Sequence, residues 1–104
     1  MALFRWNEKK LYAKCMGLES EIMSCARYVM SQPRTITLKE MKDIKKKLIA
    51  IEEGAASMGH LVAKTRTAEA INLISSLIVN IQWPPEKLSE RLTQLAIAVK
   101  YIAR

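Results

Sequence analysis

Glycine and proline are scarce in this sequence, with three residues of each among 104. These residues supply most turn conformations, so the chain has few positions at which it can change direction sharply. No stretch alternates apolar and polar residues as a half-buried strand does, and there is no internal repeat or low-complexity segment. The length fits a single domain over residues 1–104.

Motifs that carry catalysis or bind metal are missing. The glycines at positions 17, 54 and 59 form no phosphate-binding loop, and no Gly-x-Ser-x-Gly motif occurs. The single histidine, His60, is not part of an HExxH motif and has no CxxC motif near it, so we expect a surface or capping role for it. Side chains one position apart on a helix diverge, so Glu52 and Glu53 do not form a catalytic pair. We therefore expect a protein that is not an enzyme, with no metal and no cofactor.

Cysteine occurs only at positions 15 and 25. On one helix these residues lie about 15 Å apart along the axis, whereas a disulfide needs Cα atoms within about 7 Å. Both fall on an apolar stripe, so we expect unreactive core thiols.

Neither a signal peptide nor a membrane span is predicted. The apolar start of "MALFRWNEKK" ends at Arg5, which leaves no hydrophobic region of signal-peptide length. The most apolar segment, "AINLISSLIVNIQW", is too short to span a bilayer and contains two asparagines and two serines. With two cysteines and no secretory signal, a cytoplasmic location is expected.

Apolar residues recur at heptad spacing in three segments, which indicates one buried helix face in each. The first face contains Leu11, Cys15, Leu18, Ile22, Cys25 and Val29. The second contains Met41, Ile44, Leu48, Ile51, Ala55 and Met58. The last contains Leu88, Leu92, Leu95, Val99 and Ile102. Together with an apolar segment between the last two, they predict an all-α antiparallel bundle of about four helices, over residues 7–31, 38–58, 67–82 and 85–103.

Local signals place the helix ends. Asn7 is the expected N-cap of the first helix, with Trp6 and Leu11 as its hydrophobic staple. In "ITLKEM", Thr37 and Glu40 predict a capping box at the start of the second helix, with Ile36 and Met41 as its staple.

The end of the second helix is less clearly marked. Gly59 suits the left-handed residue after a helix. An unbroken helix over 38–82 would be about 68 Å long, so we expect a break between Gly59 and Thr67. A continuous but kinked helix is the alternative.

The third predicted helix is apolar around most of its circumference, and its polar stripe carries no charge. Such a helix lies either at the centre of a bundle or in a subunit interface. The candidate self-association residues are Ile71, Ile74, Leu77, Ile78 and Ile81.

Positive charge is concentrated in the first half of the chain. Residues 1–50 hold eleven basic and five acidic residues, which gives +6 of the net charge of +7. In "KDIKKKLIAIEE" the lysines spread around the expected solvent side of the helix, Asp43 is placed to pair with Lys47, and neither arginine nor aromatic residues interrupt the run. A solvated helix face is the simpler interpretation. Weak, sequence-independent phosphate binding is the alternative, through Lys39, Lys42, Lys45 and Lys46, joined by Lys9, Lys10 and Lys14 if the first two helices are neighbours.

The N-terminal arm, residues 1–6, offers a second candidate surface. Phe4, Arg5 and Trp6 are candidate anchors for a partner, because Trp and Arg are enriched among binding hot spots. Alternatively, Phe4 and Trp6 fold back over the first helix.

These observations favour a small non-catalytic helical adaptor or regulatory subunit that acts by contact with a protein partner or with itself. The alternative is a basic accessory subunit of a nucleic-acid complex that makes nonspecific phosphate contacts. A third hypothesis is a helical enzyme subunit whose site another chain completes. A helix-turn-helix is disfavoured: Ala50 and Gly54 have the right spacing, but Glu53 and His60 would occupy apolar positions.

Overall fold

The computed structural model describes residues 5–104, which form four α-helices and no strand. They are α1 (Glu8–Tyr28), α2 (Arg34–Ser57), α3 (Leu61–Val79) and α4 (Pro85–Lys100). Each helix contacts two neighbours, in the cyclic order α1, α2, α3, α4. The all-α four-helix bundle predicted from the sequence is therefore confirmed.

The packing is uneven around this cycle. The contact of α1 with α4 and that of α2 with α3 are the extensive ones, whereas α1 with α2 and α3 with α4 make smaller contacts. The bundle is thus two helix pairs joined along two seams, the α1/α2 seam and the α3/α4 seam.

A single apolar cluster fills the space between the helices. The predicted heptad faces of α1, α2 and α4 are confirmed, because every member is buried except Met58, which is half-buried. Each helix therefore buries one stripe, as expected for the helices of a bundle.

The start of α2 differs from the prediction. The helix begins at Arg34, directly after Pro33, so Ile36, Thr37 and Glu40 lie inside it and form no staple or capping box. Proline fixes φ near the helical value and has no N–H to satisfy, so it can occupy this end of a helix. The side-chain amide of Gln32 donates to both the Thr37 hydroxyl (3.0 Å) and the Glu40 carboxylate. The two side chains that were expected to cap the helix therefore bind Gln32 instead.

The turn between α2 and α3 is shorter than predicted. Gly59 has φ +70°, and the N–H groups of Gly59 and His60 donate to the carbonyls of Ala56 and Ala55, which is a Schellman motif. His60 then caps α3 through Nδ1, which accepts from the Ala63 N–H at 3.2 Å. The predicted left-handed Gly59 and the capping His60 are confirmed. The predicted start at 67 is wrong, and so is the alternative of one kinked helix.

The other helix ends lie close to their predicted positions. Asn7 caps α1, with Oδ1 accepting from the Lys10 N–H at 2.8 Å, and Pro85 occupies the first turn of α4. The C-terminal ends of α1, α3 and α4 come three residues earlier than predicted, in the last turn, where helices fray into tighter turns.

Two arginines tie the ends of the bundle. Arg34, at the start of α2, donates to the carbonyls of Ile81 (2.6 Å) and Trp83 (2.7 Å) in the α3–α4 loop. At the opposite end, Arg66 of α3 donates to the carbonyls of Tyr101 (2.8 Å) and Arg104 (2.5 Å) beyond α4. These bonds satisfy carbonyls that have no partner within a helix.

Candidate interaction surfaces

Three of the predicted polyanion-contact lysines form a row along the outer side of α2. Lys39, Lys42 and Lys46 are exposed, whereas Lys45 is half-buried. Positions three and four apart share a helix face, so these three ammonium groups point in a common direction. We call Lys39, Lys42 and Lys46 the lysine row.

Lys47 lies off the row and bridges two helices. Its ammonium group pairs with the Glu21 carboxylate of α1, and this is the one ion pair within residues 5–104. The predicted pairing of Lys47 with Asp43 is therefore not formed. Both side chains are substantially exposed, so the pair adds little to stability. The pair nevertheless places the side chains of Lys47 in α2 and Glu21 in α1 on a shared surface.

Trp6 is held against α2 by a glycine. A Cβ built at Gly54 would lie 2.6 Å from indole Cε3 and closer still to Cδ2, so no larger residue fits beneath the indole in this position. The ammonium group of Lys10 lies 4.7 Å from the centroid of the indole, within cation–π range. Of the candidate anchors, Trp6 is thus half-buried against the bundle and Arg5 is exposed. Phe4 lies outside the described residues.

An open groove runs along the α1/α2 seam beside Trp6. Its volume is about 640 Å³. The base is formed by Leu18 and Ile51, and small residues line the flanks, namely Ala13, Gly17 and Ala50. The remaining lining residues are polar or aromatic, namely Trp6, Lys10, Lys14, Glu21 and Lys47. We call this depression the α1/α2 groove. It brings the predicted residues Trp6, Lys10 and Lys14 together on one surface, and Lys47 adds a third ammonium group there.

The residues predicted for self-association lie on the inner side of α3, apart from Ile81, which follows in the α3–α4 loop. Ile74 and Leu77 are buried in the core, and Ile71, Ile78 and Ile81 are half-buried against it. The side of α3 that faces solvent carries a different apolar set, consisting of Leu61, Val62, Leu73 and Val79, which are 71%, 53%, 46% and 81% exposed. We call this set the α3 outer face. Helical periodicity could have identified it only after the inward direction of α3 was known, because apolar residues surround this helix.

The two cysteines are confirmed as buried, unpaired thiols in α1. Burial raises the pKa of Cys15 to about 11. Burial also raises the pKa of Cys25, to about 12, with smaller contributions from the carboxylates of Glu40 and Glu21. The reactive thiolate is therefore scarce near neutral pH.

Within residues 5–104, no three His, Cys, Asp or Glu side chains lie close enough together to hold a metal ion. Over the same part of the chain, no helix combines the length and apolar character needed to cross a bilayer.

Comparison with models of protein families, with curated proteins and with solved structures found no match to this chain. Functional inference therefore depends on the surfaces described above.

Proposed function

We propose that this protein is a small, non-catalytic helical adaptor or regulatory subunit that acts through the α3 outer face, by contact with a protein partner or with a second copy. The observation that carries the proposal is the exposure of large apolar side chains on α3. From Ala70 to Val79 this helix has no charged residue, and both Leu73 and Val79 are open to solvent.

Exposed apolar side chains of this kind fit a binding role. Single exposed apolar residues are ordinary, but a helix that exposes four large apolar side chains has area available to bury in a complex. The core does not require them, because α3 already buries Ile74 and Leu77 and packs Ile71 and Ile78 against the cluster. The proposed interface therefore uses residues that the fold leaves uncovered.

Leu73→Glu is the variant that tests this proposal. Leu73 is exposed, so a carboxylate at this position leaves the bundle folded but costs desolvation energy in any complex that covers it. Ser20→Glu, at an exposed position of α1, is the matched control. The wild type and the control are expected to sediment as an oligomer, or to copurify from the native host in a stoichiometric complex that survives nuclease, whereas Leu73→Glu loses the association. A wild type that is monomeric at all concentrations and captures no such complex would contradict the proposal.

The second candidate function is that of a basic accessory subunit that contacts nucleic-acid phosphates without reading sequence. The observation that favours it is the lysine row, whose three ammonium groups share one exposed side of α2. Phosphate binding predicts that log affinity falls with log salt, with a slope of about 0.9 per contact on duplex DNA and about 0.7 on single strands.

Replacement of Lys39, Lys42, Lys45 and Lys46 by Gln tests the second candidate. If the row contacts phosphates, the salt slope should fall by several units while the stability of the fold changes little. We expect weak binding at physiological salt. If the wild type binds nucleic acid tightly at physiological salt and the Gln variant does not, the nucleic-acid function would be favoured over the adaptor function.

A further inference from the structure

We propose that the α1/α2 groove is a docking site for an acidic amphipathic helix of a protein partner. The inference builds on the proposed role as an interaction protein, but it concerns a surface that the α3 outer face does not include. It therefore adds a partner class and a second site.

The shape of the groove suits the apolar face of a helix. Most of the surface that lines it is apolar, and the residues on its flanks are Ala13 and Gly17 of α1 and Ala50 of α2. A Cβ at Gly17 would meet no atom within 4 Å, so the space above this residue is open. Small side chains on both flanks allow another helix to approach closely, and helix-in-groove binding inserts apolar side chains spaced by one turn into such a depression.

The charge on the rim selects an acidic partner. Lys10, Lys14 and Lys47 lie around the groove, and Glu21 neutralises only one of them. Lys10 and Lys14 are four residues apart, which places their ammonium groups about one helical turn, or roughly 6 Å, apart along α1. A helix that lies along α1 with carboxylates one turn apart would place an acid beside each lysine. Charge complementarity of this kind fixes register and excludes basic partners.

The same contacts favour a protein over a nucleic acid. The one aromatic residue that lines the groove is Trp6, whose indole lies over Gly54 and beneath the ammonium group of Lys10, so it offers no free platform for a base. No arginine lines the groove to hold a phosphate or a guanine in bidentate fashion. The lysine row, which is better placed for phosphates, lies on the outer side of α2.

The test uses the full chain and a defined probe. The probe is a synthetic amphipathic helix of about five turns with Leu on one face and Glu along both edges, and the control peptide carries Gln in place of each Glu. Binding is followed by fluorescence anisotropy of the labelled peptide and by two-dimensional NMR of the amide groups. The acidic peptide is expected to bind more tightly than the Gln peptide and to shift the Gly17 amide, while the amide of Val79, at the end of α3, keeps its chemical shift.

Two pairs of variants locate the site. Lys10→Glu with Lys14→Glu removes the complementary rim, and Lys42→Glu with Lys46→Glu makes the same change in net charge on the outer side of α2. The first pair is expected to weaken acidic-peptide binding by roughly tenfold or more, and the second pair by much less, because screened charges at a distance contribute little. Gly17→Leu should block the groove by its bulk, whereas Thr65→Leu, at an exposed position of α3, should leave binding intact.

Several results would overturn the inference. They are equal effects of the two charge pairs, unchanged binding by Gly17→Leu, and displacement of the acidic peptide from Gly17 by duplex DNA at equal charge concentration. Leu73→Glu separates this inference from the proposed function, since it should not affect peptide binding. If the peptide fails to bind while Leu73→Glu still dissociates a complex, only the groove inference is wrong.

Discussion

The two seams that join the helix pairs are closed by different means. The α1/α2 seam is closed at one end by an indole placed over a glycine and is crossed by one ion pair, and it leaves an open groove with a basic rim. At the α3/α4 seam, Arg66 of α3 donates to carbonyls beyond α4, and Arg34 of α2 donates to carbonyls of the α3–α4 loop. On its solvent side, α3 exposes large apolar side chains. The basic rim of the α1/α2 groove and the α3 outer face therefore differ in chemistry, and we propose a charged partner for the first and an apolar contact for the second.

The largest expected change in stability is the difference between substitutions on the buried and the exposed side of α3. Ile74→Ala removes a fully buried side chain and should lower the free energy of unfolding by about 2–5 kcal/mol. Leu73→Ala, at the neighbouring exposed position, should change it by no more than about 0.5 kcal/mol. Urea denaturation of both variants measures the difference. Similar losses for the two would mean that the α3 outer face is not free, and the comparison between the seams would fail.

The hydrogen bonds of Arg34 and Arg66 should contribute unequally to the stability of the fold. Arg34→Gln deprives the carbonyls of Ile81 and Trp83 of a partly buried charged donor, and we expect a loss of about 1–3 kcal/mol in the free energy of unfolding. Arg66 is exposed, so water replaces its bonds in Arg66→Gln and the loss should be smaller. Thermal denaturation of the two variants measures which arginine contributes more to stability. A larger loss for Arg66→Gln than for Arg34→Gln would show that the α3/α4 seam is held mainly from the end where Arg66 lies.

A glycine pair tests how the α1/α2 seam is closed. Gly17→Ala meets open space and should stabilise α1 by about 0.5–1 kcal/mol, the ordinary gain for Ala over Gly in a helix. Gly54→Ala gains the same propensity but displaces the indole of Trp6, so we expect no gain or a net loss of about 1 kcal/mol. In a Trp6→Ala background the two substitutions should stabilise equally. A stabilising Gly54→Ala in the wild type would show that Trp6 does not depend on this contact.

The smallest effect at neutral pH comes from the thiols behind the α1/α2 seam. The folded state holds the pKa of Cys15 at about 11 and that of Cys25 at about 12, above their ordinary value of 9.0. Above pH 9 the unfolded chain loses these protons and the folded chain keeps them, so the unfolded state binds fewer protons and stability falls as pH rises. Below pH 9 the thiols contribute no pH dependence. The free energy of unfolding of the wild type should therefore fall more steeply from pH 9 to 11 than that of Cys15→Ala with Cys25→Ala, and parallel curves would contradict this.

The heptad faces could be predicted because each depends on residues close in sequence. Leu11 to Val29 and Leu88 to Ile102 repeat at the helical period, and a helix that packs in a bundle must bury such a stripe. The caps at Asn7 and Gly59 were predictable for the same reason, since a cap is a contact within one turn.

The errors arose where two local signals competed or where contacts were distant. At the start of α2, Thr37 and Glu40 predict a capping box, but both accept hydrogen bonds from the side chain of Gln32, and the helix begins directly after Pro33. The inward direction of α3 depends on its packing against α2 and α4, so periodicity alone could not separate its core residues from its exposed ones. The placement of Trp6 over Gly54 joins residues 48 positions apart, and no spacing rule reports such a contact.

The extensive packing of α1 against α4 has a consequence for the order of folding. The main neighbour of α1 is α4, from which it is separated by two helices along the chain, whereas α2 and α3 are joined by a turn centred on Gly59 and can pair as soon as both exist. Closing the long intervening loop costs more entropy than closing a short turn. On a ribosome, α1 would therefore wait with its apolar stripe open until α4 emerges. We expect pulsed hydrogen exchange during refolding to protect amides of α2 and α3 before those of α1 and α4, and early protection of α1 would contradict this order.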